Sequence, residues 1–290
     1  MNTRRLGRTG PQVSAIGLGC MGMSDLYGPA DQDESIATIH AALDAGITLL
    51  DTGDFYGMGA NELLIRDALR GRQRENVQIS VKFGALRDPA GTFVGYDSRP
   101  GAVRNFVAYT LRRLGTDYID VYRPARLDPN VPIEETVGAI ADLVKAGYVR
   151  HIGLSEVGVE TIRRAHAVAP IADLQIEYSL LSRDIEAEIL PVCRELGIGV
   201  TAYGVLSRGL LSGQWSKASV TFVARARVSA ARTSRTTWRS SRRCVRLQTS
   251  AARTRRVSRL PGRSHAAKTS CRSSVRGVER SWSMHSLQPN

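Results

Sequence analysis

Seven short apolar runs recur between Ala15 and Gly204, and helical periodicity fills the gaps between successive runs; this alternation limits the architecture more than any other feature. The runs read AIGLGC, TLLDTG, QISVKFG, DYIDVYR, HIGLSE, DLQIEYS and VTAYG. A strand buried on both faces reads as a near-continuous apolar run, and strands alternating with helices are the sequence form of repeated βα units and a parallel sheet. Between the runs, apolar spacing predicts helices over Glu34–Ala45, Asn61–Leu69, Pro100–Leu114, Ile133–Ala146, Val159–Ala169 and Asp184–Leu196. Three of these stop just before a glycine, Gly115, Gly147 or Gly197, where left-handed backbone costs no Cβ clash. Ahead of the first run, RRLGRTGPQVS reads as a hairpin turned by Gly10 and Pro11.

Seven parallel strands with crossover helices fit either an open doubly wound sheet or a barrel. An open dinucleotide-binding sheet wants GxGxxG directly after its first strand and opening a helix. Here GLGCMG runs instead into Met23, Ser24, Asp25, Leu26 and a Tyr-Gly-Pro turn. Polar and titratable residues close many different strands, which is where barrel enzymes build their sites. The expected fold is therefore a (β/α)8 TIM barrel in which seven units are readable.

Three of those residues form a chemical set: Asp51 and Tyr56 in LLDTGDFYG, and Lys82 in ISVKFG. Facing one another across a barrel mouth, an ammonium would favour the phenolate of a neighbouring tyrosine, and a carboxylate would keep the ammonium in place. The product is a proton donor suited to a carbonyl oxygen becoming an alkoxide. Taken singly, the Asp could be a helix cap and the Tyr a loop-closing residue. The Met21, Met23, Tyr27, Phe55 and Met58 group is an apolar pocket mouth or ordinary loop packing.

The ordered series LLDTGDFYG, VKFG, DYIDVYRPARLDP, HIGLSE, QIEYSLLSR and AYGVLSRGLLSG, from about Arg4 to Lys217, resembles the aldo-keto reductase superfamily. The resemblance implies a barrel that binds NADPH and passes its hydride to an aldehyde or ketone. It makes Tyr56 the proton donor, Lys82 its activator and Asp51 the partner of Lys82. It implies that Ser155, Glu156 and Gln175 meet the nicotinamide carboxamide and that Tyr203 stacks on the ring. The backbone at Leu206 and Ser207, with Arg208, would take the pyrophosphate. A small-molecule carbonyl compound is the expected partner. The alternative is a non-catalytic nucleotide-binding regulatory protein on the same barrel.

Two departures stand against that pattern. Where the family carries a histidine, in a pattern like DYIDLYxxHxxD, this chain has Ala125, and Arg123 or Arg126, expected on a loop flanking the strand, could supply a donor instead. His40, His151 and His166 lie on predicted helices or a strand start and are expected to be structural. The second departure begins at Ala218. Of the 40 Lys and Arg, 17 lie in residues 218–290 against a single acid, Glu279, so this part carries +16. The preceding 217 residues hold 23 bases and 26 acids, a net −3. Leu, Ile, Val and Phe number 11 of the last 73 residues, too few to bury a core of their own. The expected division is thus a barrel over 1–217, incomplete as read, and an Arg/Ser-rich tail over 218–290, expected to be disordered. Three readings of the tail are open: a nucleic-acid or anion-binding arm, a solvated linker, or the product of a shifted frame in GC-rich coding DNA. The arm reading lacks the interleaved aromatics of a stacking platform, since only Phe222, Trp238 and Trp282 occur, so nucleic acid is not the expected partner. Cys20, Cys193, Cys244 and Cys271 form no CxxC pair and no metal-ligand spacing, so free thiols and no metal are expected. No run of 18 apolar residues occurs, and the expected compartment is the cytosol.

Overall fold

The computed structural model describes residues 1–24, 29–207 and 211. The chain divides into two compact units. All helices and strands of the described residues lie in the first, which holds Met1–Ser179 and Arg183–Leu206; the second includes Leu180–Ser182 and Ser207.

The chain opens with an antiparallel hairpin, β1 (Thr3–Arg5) and β2 (Gln12–Ser14). Its connection is wider than a Gly10-Pro11 turn: the Leu6 amide donates to the Pro11 carbonyl at 2.9 Å, and the positive φ falls at Gly7. Then come β3 (Leu18–Gly19), α1 (Gln32–Asp44), β4 (Leu49–Gly53), α2 (Ala60–Ala68) and β5 (Gln78–Phe83). A second hairpin, β6 (Ala85–Arg87) and β7 (Phe93–Tyr96), precedes α3 (Pro100–Leu114), β8 (Ile119–Pro124) and α4 (Ile133–Lys145). The order closes with β9 (Val149–Ser155), α5 (Val159–Val168), β10 (Ile171–Glu177), α6 (Ile189–Leu196) and β11 (Gly199–Tyr203).

Strands β3, β4, β5, β8, β9, β10 and β11 form one seven-stranded parallel sheet in chain order, each joined to the next through a crossover. This is the strand sequence of a TIM-type α/β barrel. Alternation along the strands sorts the side chains. Leu50, Ile79, Val81, Phe83, Tyr122, Leu154, Leu174 and Val200 face the helices in one large apolar core. Leu49 and Val121 face the other way and pack with Leu6 and Val13 of the first hairpin. That hairpin caps the N-terminal ends of the strands. Arg8 donates its amide to the Gly197 carbonyl at 2.7 Å and its guanidinium to the Leu196 carbonyl at 3.0 Å.

The helices form where sequence spacing places them, with local reasons for each end. Asp31 caps α1 through a 2.8 Å bond from the Glu34 amide, so that helix starts at Gln32, ahead of the expected Glu34. Pro100 opens α3, and Gly115, at φ +64, closes it. The single helix expected over Asp184–Leu196 is instead a 3₁₀ turn at Asp184–Glu186 followed by α6. Pro191 explains the break: deep inside a continuous helix it would lack the N–H owed to Ala187, whereas in the first turn of α6 that donor is not needed. The non-helical backbone of Glu188, at φ −132, marks the join.

Candidate active site inside the barrel

The inward face of the sheet is polar. Pairing register puts Asp51 opposite Ser80, Lys82 opposite Arg123, Gly153 opposite Asp173, Ser155 opposite Gln175, and Gln175 in turn opposite Thr201. Paired positions in a parallel ladder share a face, so six strands deliver these side chains into one interior.

Asp51 is the hub. One carboxylate oxygen pairs with the Lys82 ammonium in a very short contact. The other accepts from the Ser80 hydroxyl at 2.9 Å and from the Gln175 amide nitrogen at 2.7 Å. Lys82 is only 5% exposed. Burial pushes its pKa down, Asp51 opposes that by holding the charge, and Arg123 adds to the downward shift by repulsion.

Tyr56 is also buried, and the Lys82 ammonium lies 5.1 Å from the centroid of its ring. A tight left-handed turn holds the tyrosine: Gly57, Met58 and Gly59 have φ of +54, +53 and +96. Gly59 needs its missing side chain twice over, because a Cβ there would meet Arg113 Cδ at 2.8 Å. Arg113 is in turn tied to the fully buried Glu62 carboxylate. Beyond the turn, Asn61 receives the Thr52 hydroxyl at 2.6 Å and donates to the Cys20 carbonyl and the Ser24 hydroxyl at 2.8 Å each. Phe55 meets Tyr56 edge-on at 4.8 Å. Behind this turn, Asp54 has its pKa raised to about 7 by burial first and by the neighbouring Glu62 second.

On the other side of the mouth, Ser155 and Gln175 stand side by side on β9 and β10. Glu156 follows with a left-handed φ of +55, and its carboxylate accepts from the Glu177 amide at 2.8 Å. Tyr203, at the end of β11, has its pKa raised by burial and then by the charge of the nearby Glu156. Leu206 is exposed, Ser207 has a φ of +49, and Arg208 lies outside the described residues, as does Tyr27.

Of the two arginines near Ala125, Arg126 lies on the loop after β8 as expected and Arg123 does not. Arg123 is in β8, not on a loop, and is fully buried. Its guanidinium donates to Ser80 at 2.8 Å and pairs with Asp173 at 3.1 Å, below the mouth. Arg126 stays at the mouth, donating to the Ala125 carbonyl at 2.7 Å and reaching Ser155 Oγ at 3.5 Å. Two of the three histidines named above bond to backbone away from the site, His40 with the Ala68 carbonyl and His166 with the Ile171 amide, and His151 is held at a lowered pKa first by burial. Cys20 and Cys193 are free and buried, and burial raises their thiols to about 12 and about 11. Among the described residues no cluster could hold a metal, and no helix is long and apolar enough to cross a membrane. A surface cavity of about 350 Å³, lined by Leu127, Asp128, Pro132, Thr161 and Arg164 among others, shares no residue with the interior set.

Sequence reasoning missed Ser80, Asp173, Thr201 and Asn61. The first three were within reach of it, since they stand two positions before Lys82, Gln175 and Tyr203 and so share their faces. Asn61 carries no such signal.

A parallel α/β sheet of barrel type whose interior presents lysine, carboxylate and tyrosine together carries its polar residues at the C-terminal strand ends, where barrel folds build their sites. The aldo/keto reductase family model matches residues 15–264, past Lys217. The chain belongs to the aldo/keto reductase family. A probable aldo-keto reductase of Glycine max is 47% identical over 211 residues, which are 72% of this chain and 61% of that protein. The chain thus spans about three fifths of that relative. A glycerol dehydrogenase from Gluconobacter oxydans superposes with a TM-score of 0.67 at 32% identity, covering 74% of this chain and 66% of its own. An aldo/keto reductase from Klebsiella pneumoniae, solved with NADP and acetate, gives 0.62 at 30% identity, over 71% and 70% of the two chains.

Proposed function

We propose that the protein reduces an aldehyde or ketone to an alcohol with NADPH, using Tyr56 as the proton donor. The observation that carries this reading is the buried Lys82, ion-paired to Asp51 and lying under the ring of Tyr56. NADPH, when bound, supplies the hydride. The chain's own residues do the rest. Tyr56 donates its phenolic proton to the carbonyl oxygen as negative charge develops there. Lys82 stabilises the phenolate left behind, and Asp51, gripped by Ser80 and Gln175, keeps Lys82 beneath the ring.

The fit of a nicotinamide to this mouth is supported by the donor set. Ser155 and Gln175 are adjacent, and because the Gln175 nitrogen is committed to Asp51, its carbonyl oxygen is the acceptor for a carboxamide N–H. Glu156, whose charge acts on Tyr203, joins the carboxamide wall beside the aromatic ring that would stack on the nicotinamide. The pyrophosphate role of Leu206, Ser207 and Arg208, and the division into a barrel over 1–217 and a tail over 218–290, rest on sequence alone. With Ala125 offering no donor, Arg126 is the side chain at the mouth that takes the missing histidine's place in orienting the carbonyl.

The test is Tyr56→Phe. Loss of general acid catalysis costs about 10² to 10⁴ in rate, so aldehyde reduction should fall by that factor while NADPH binding, followed by nicotinamide fluorescence, stays close to wild type. An unchanged rate refutes the assignment. NADPH binding without turnover in the unaltered chain supports the alternative, a nucleotide-binding regulator, an outcome that Ala125 makes worth measuring.

A further inference from the structure

Beneath the proposed proton-transfer centre lies a second ion pair that the mechanism above does not use. Arg123 on β8 and Asp173 on β10 are both fully buried and meet at 3.1 Å across the strand between them. They can do so because β9 carries glycine at that point: a Cβ on Gly153 would stand 2.5 Å from Asp173 Oδ1 and 3.0 Å from Arg123 Nε. The Thr201 hydroxyl donates to Asp173 Oδ2 at 2.6 Å. Arg123 Nε and Asp173 Oδ1 have no hydrogen-bond partner among the described residues. A buried pair satisfied this poorly is a weak source of stability, since the cost of desolvating two charges is only partly returned.

Its connections point elsewhere. The same guanidinium nitrogen that meets Asp173 donates to Ser80 Oγ at 2.8 Å, and Ser80 donates to Asp51 Oδ2 at 2.9 Å. Arginine has no acceptor, so its bond occupies a Ser80 lone pair and leaves the hydroxyl proton to point at Asp51. One continuous series of contacts therefore runs Thr201, Asp173, Arg123, Ser80, Asp51, Lys82, crossing five strands.

We propose that the Arg123–Asp173 pair is a positioning and charge-balancing device for the proton donor, orienting Ser80 toward Asp51 and placing one balanced positive charge beneath Lys82. The proposal rests on Tyr56 and Lys82 being the proton-transfer pair. The ionisable groups acting on Lys82 are Asp51 on β4, Cys20 after β3, Tyr56 above it, Arg123 and Arg126 on and after β8, and Asp173 on β10. Arg123 pushes the Lys82 pKa down, and Asp173 offsets part of that push.

Two variants move the balance in opposite directions. Asp173→Asn leaves Arg123 unbalanced, which favours phenolate and neutral lysine. The Tyr56 ionisation, and with it the basic limb of the kcat–pH profile, should move about 0.5 to 1 unit to lower pH. Arg123→Met with Asp173→Leu removes both charges without leaving one unpaired, and both midpoints should move up by a similar amount. Ser80→Ala breaks the relay with both ion pairs intact; kcat should fall about tenfold with little change in KM for NADPH, the loss expected for one hydrogen bond to a charged group. Tyr56 ionisation is read directly in the full chain from phenolate ultraviolet absorbance, each protein minus its Tyr56→Phe counterpart. Unmoved midpoints in folded Asp173→Asn protein overturn the inference, as do shifts of the same sign in both charge variants. If the chain reduces no carbonyl yet the Tyr56 midpoints move oppositely, the pairing stands and the enzymatic reading falls. If it reduces carbonyls and the midpoints do not move, the reverse holds.

Discussion

At the residue scale, single side chains decide whether the interior can hold its charges. Gly153 is required for space, not for backbone conformation, since its absent Cβ is what lets Arg123 reach Asp173. Gly153→Ala should therefore destabilise the protein by about 1 to 3 kcal/mol, the usual cost of forcing extra volume into a packed interior. In an Arg123→Ala, Asp173→Ala background that cost should shrink, because the atoms it collides with are gone; denaturant midpoints of the four proteins give the coupling directly. Asp54 offers a pH signature. Its folded pKa of about 7 lies above its unfolded value, so the folded state holds an extra proton between roughly pH 4 and 7. Stability contributed by the neutral form is present at low pH and lost as pH rises through that window. Asp54→Asn keeps a neutral group there and should flatten the fall, making the variant more stable than wild type at pH 8 by on the order of 1 to 3 kcal/mol and no more stable near pH 4. An equal stability difference between the two proteins at pH 4 and pH 8, taken from urea midpoints, would contradict it.

At the scale of elements, the first hairpin is held by a backbone-to-backbone fit. Gly7, at φ +69, lies where a Cβ would run into the Ala172 carbonyl and come within 2.6 Å of the Gly199 amide. Gly7→Ala combines left-handed strain with that collision and should cost about 2 to 3 kcal/mol, lowering the melting temperature by roughly 5 to 10 °C. The helices and parallel strands were legible in the sequence because their periods differ, 3.6 against 2, and because Pro100, Gly115 and Gly197 punctuate them. What escaped was of two kinds. The β6–β7 hairpin is short and half-polar, with Phe93 and Val94 exposed, so it has no apolar period to betray it. The break ahead of α6 was written in Pro191 but competes with a good apolar stripe on either side. In the interior, the strand-end residues Lys82, Ser155 and Tyr203 stand out at the close of apolar runs, whereas Arg123 was hidden by an ambiguous strand boundary at Arg123–Pro124. Proline at the last strand position costs no ladder bond there, which is why the strand extends one residue further than a breaker suggests.

At the scale of the whole molecule, charge is divided sharply along the sequence: −3 over the first 217 residues and +16 over the rest. A nucleotide site in the first part should be indifferent to polyanions bound through the second. NADPH affinity measured by fluorescence should then be the same with and without duplex DNA at physiological salt, whereas competition would mean that the basic segment and the nucleotide share a surface. The first hairpin also has a consequence in time. Its anchor is the Arg8 guanidinium on the Leu196 carbonyl, a bond between residues 188 apart in the chain. On a ribosome adding about 5 to 20 residues per second, the hairpin waits roughly 10 to 40 s before the surface it caps has been made. Leu49 and Val121, which pack on Leu6 and Val13, are made earlier, but the Arg8 anchor cannot close until Leu196 exists, so the floor of the barrel is among the first segments synthesised and the last to be fastened.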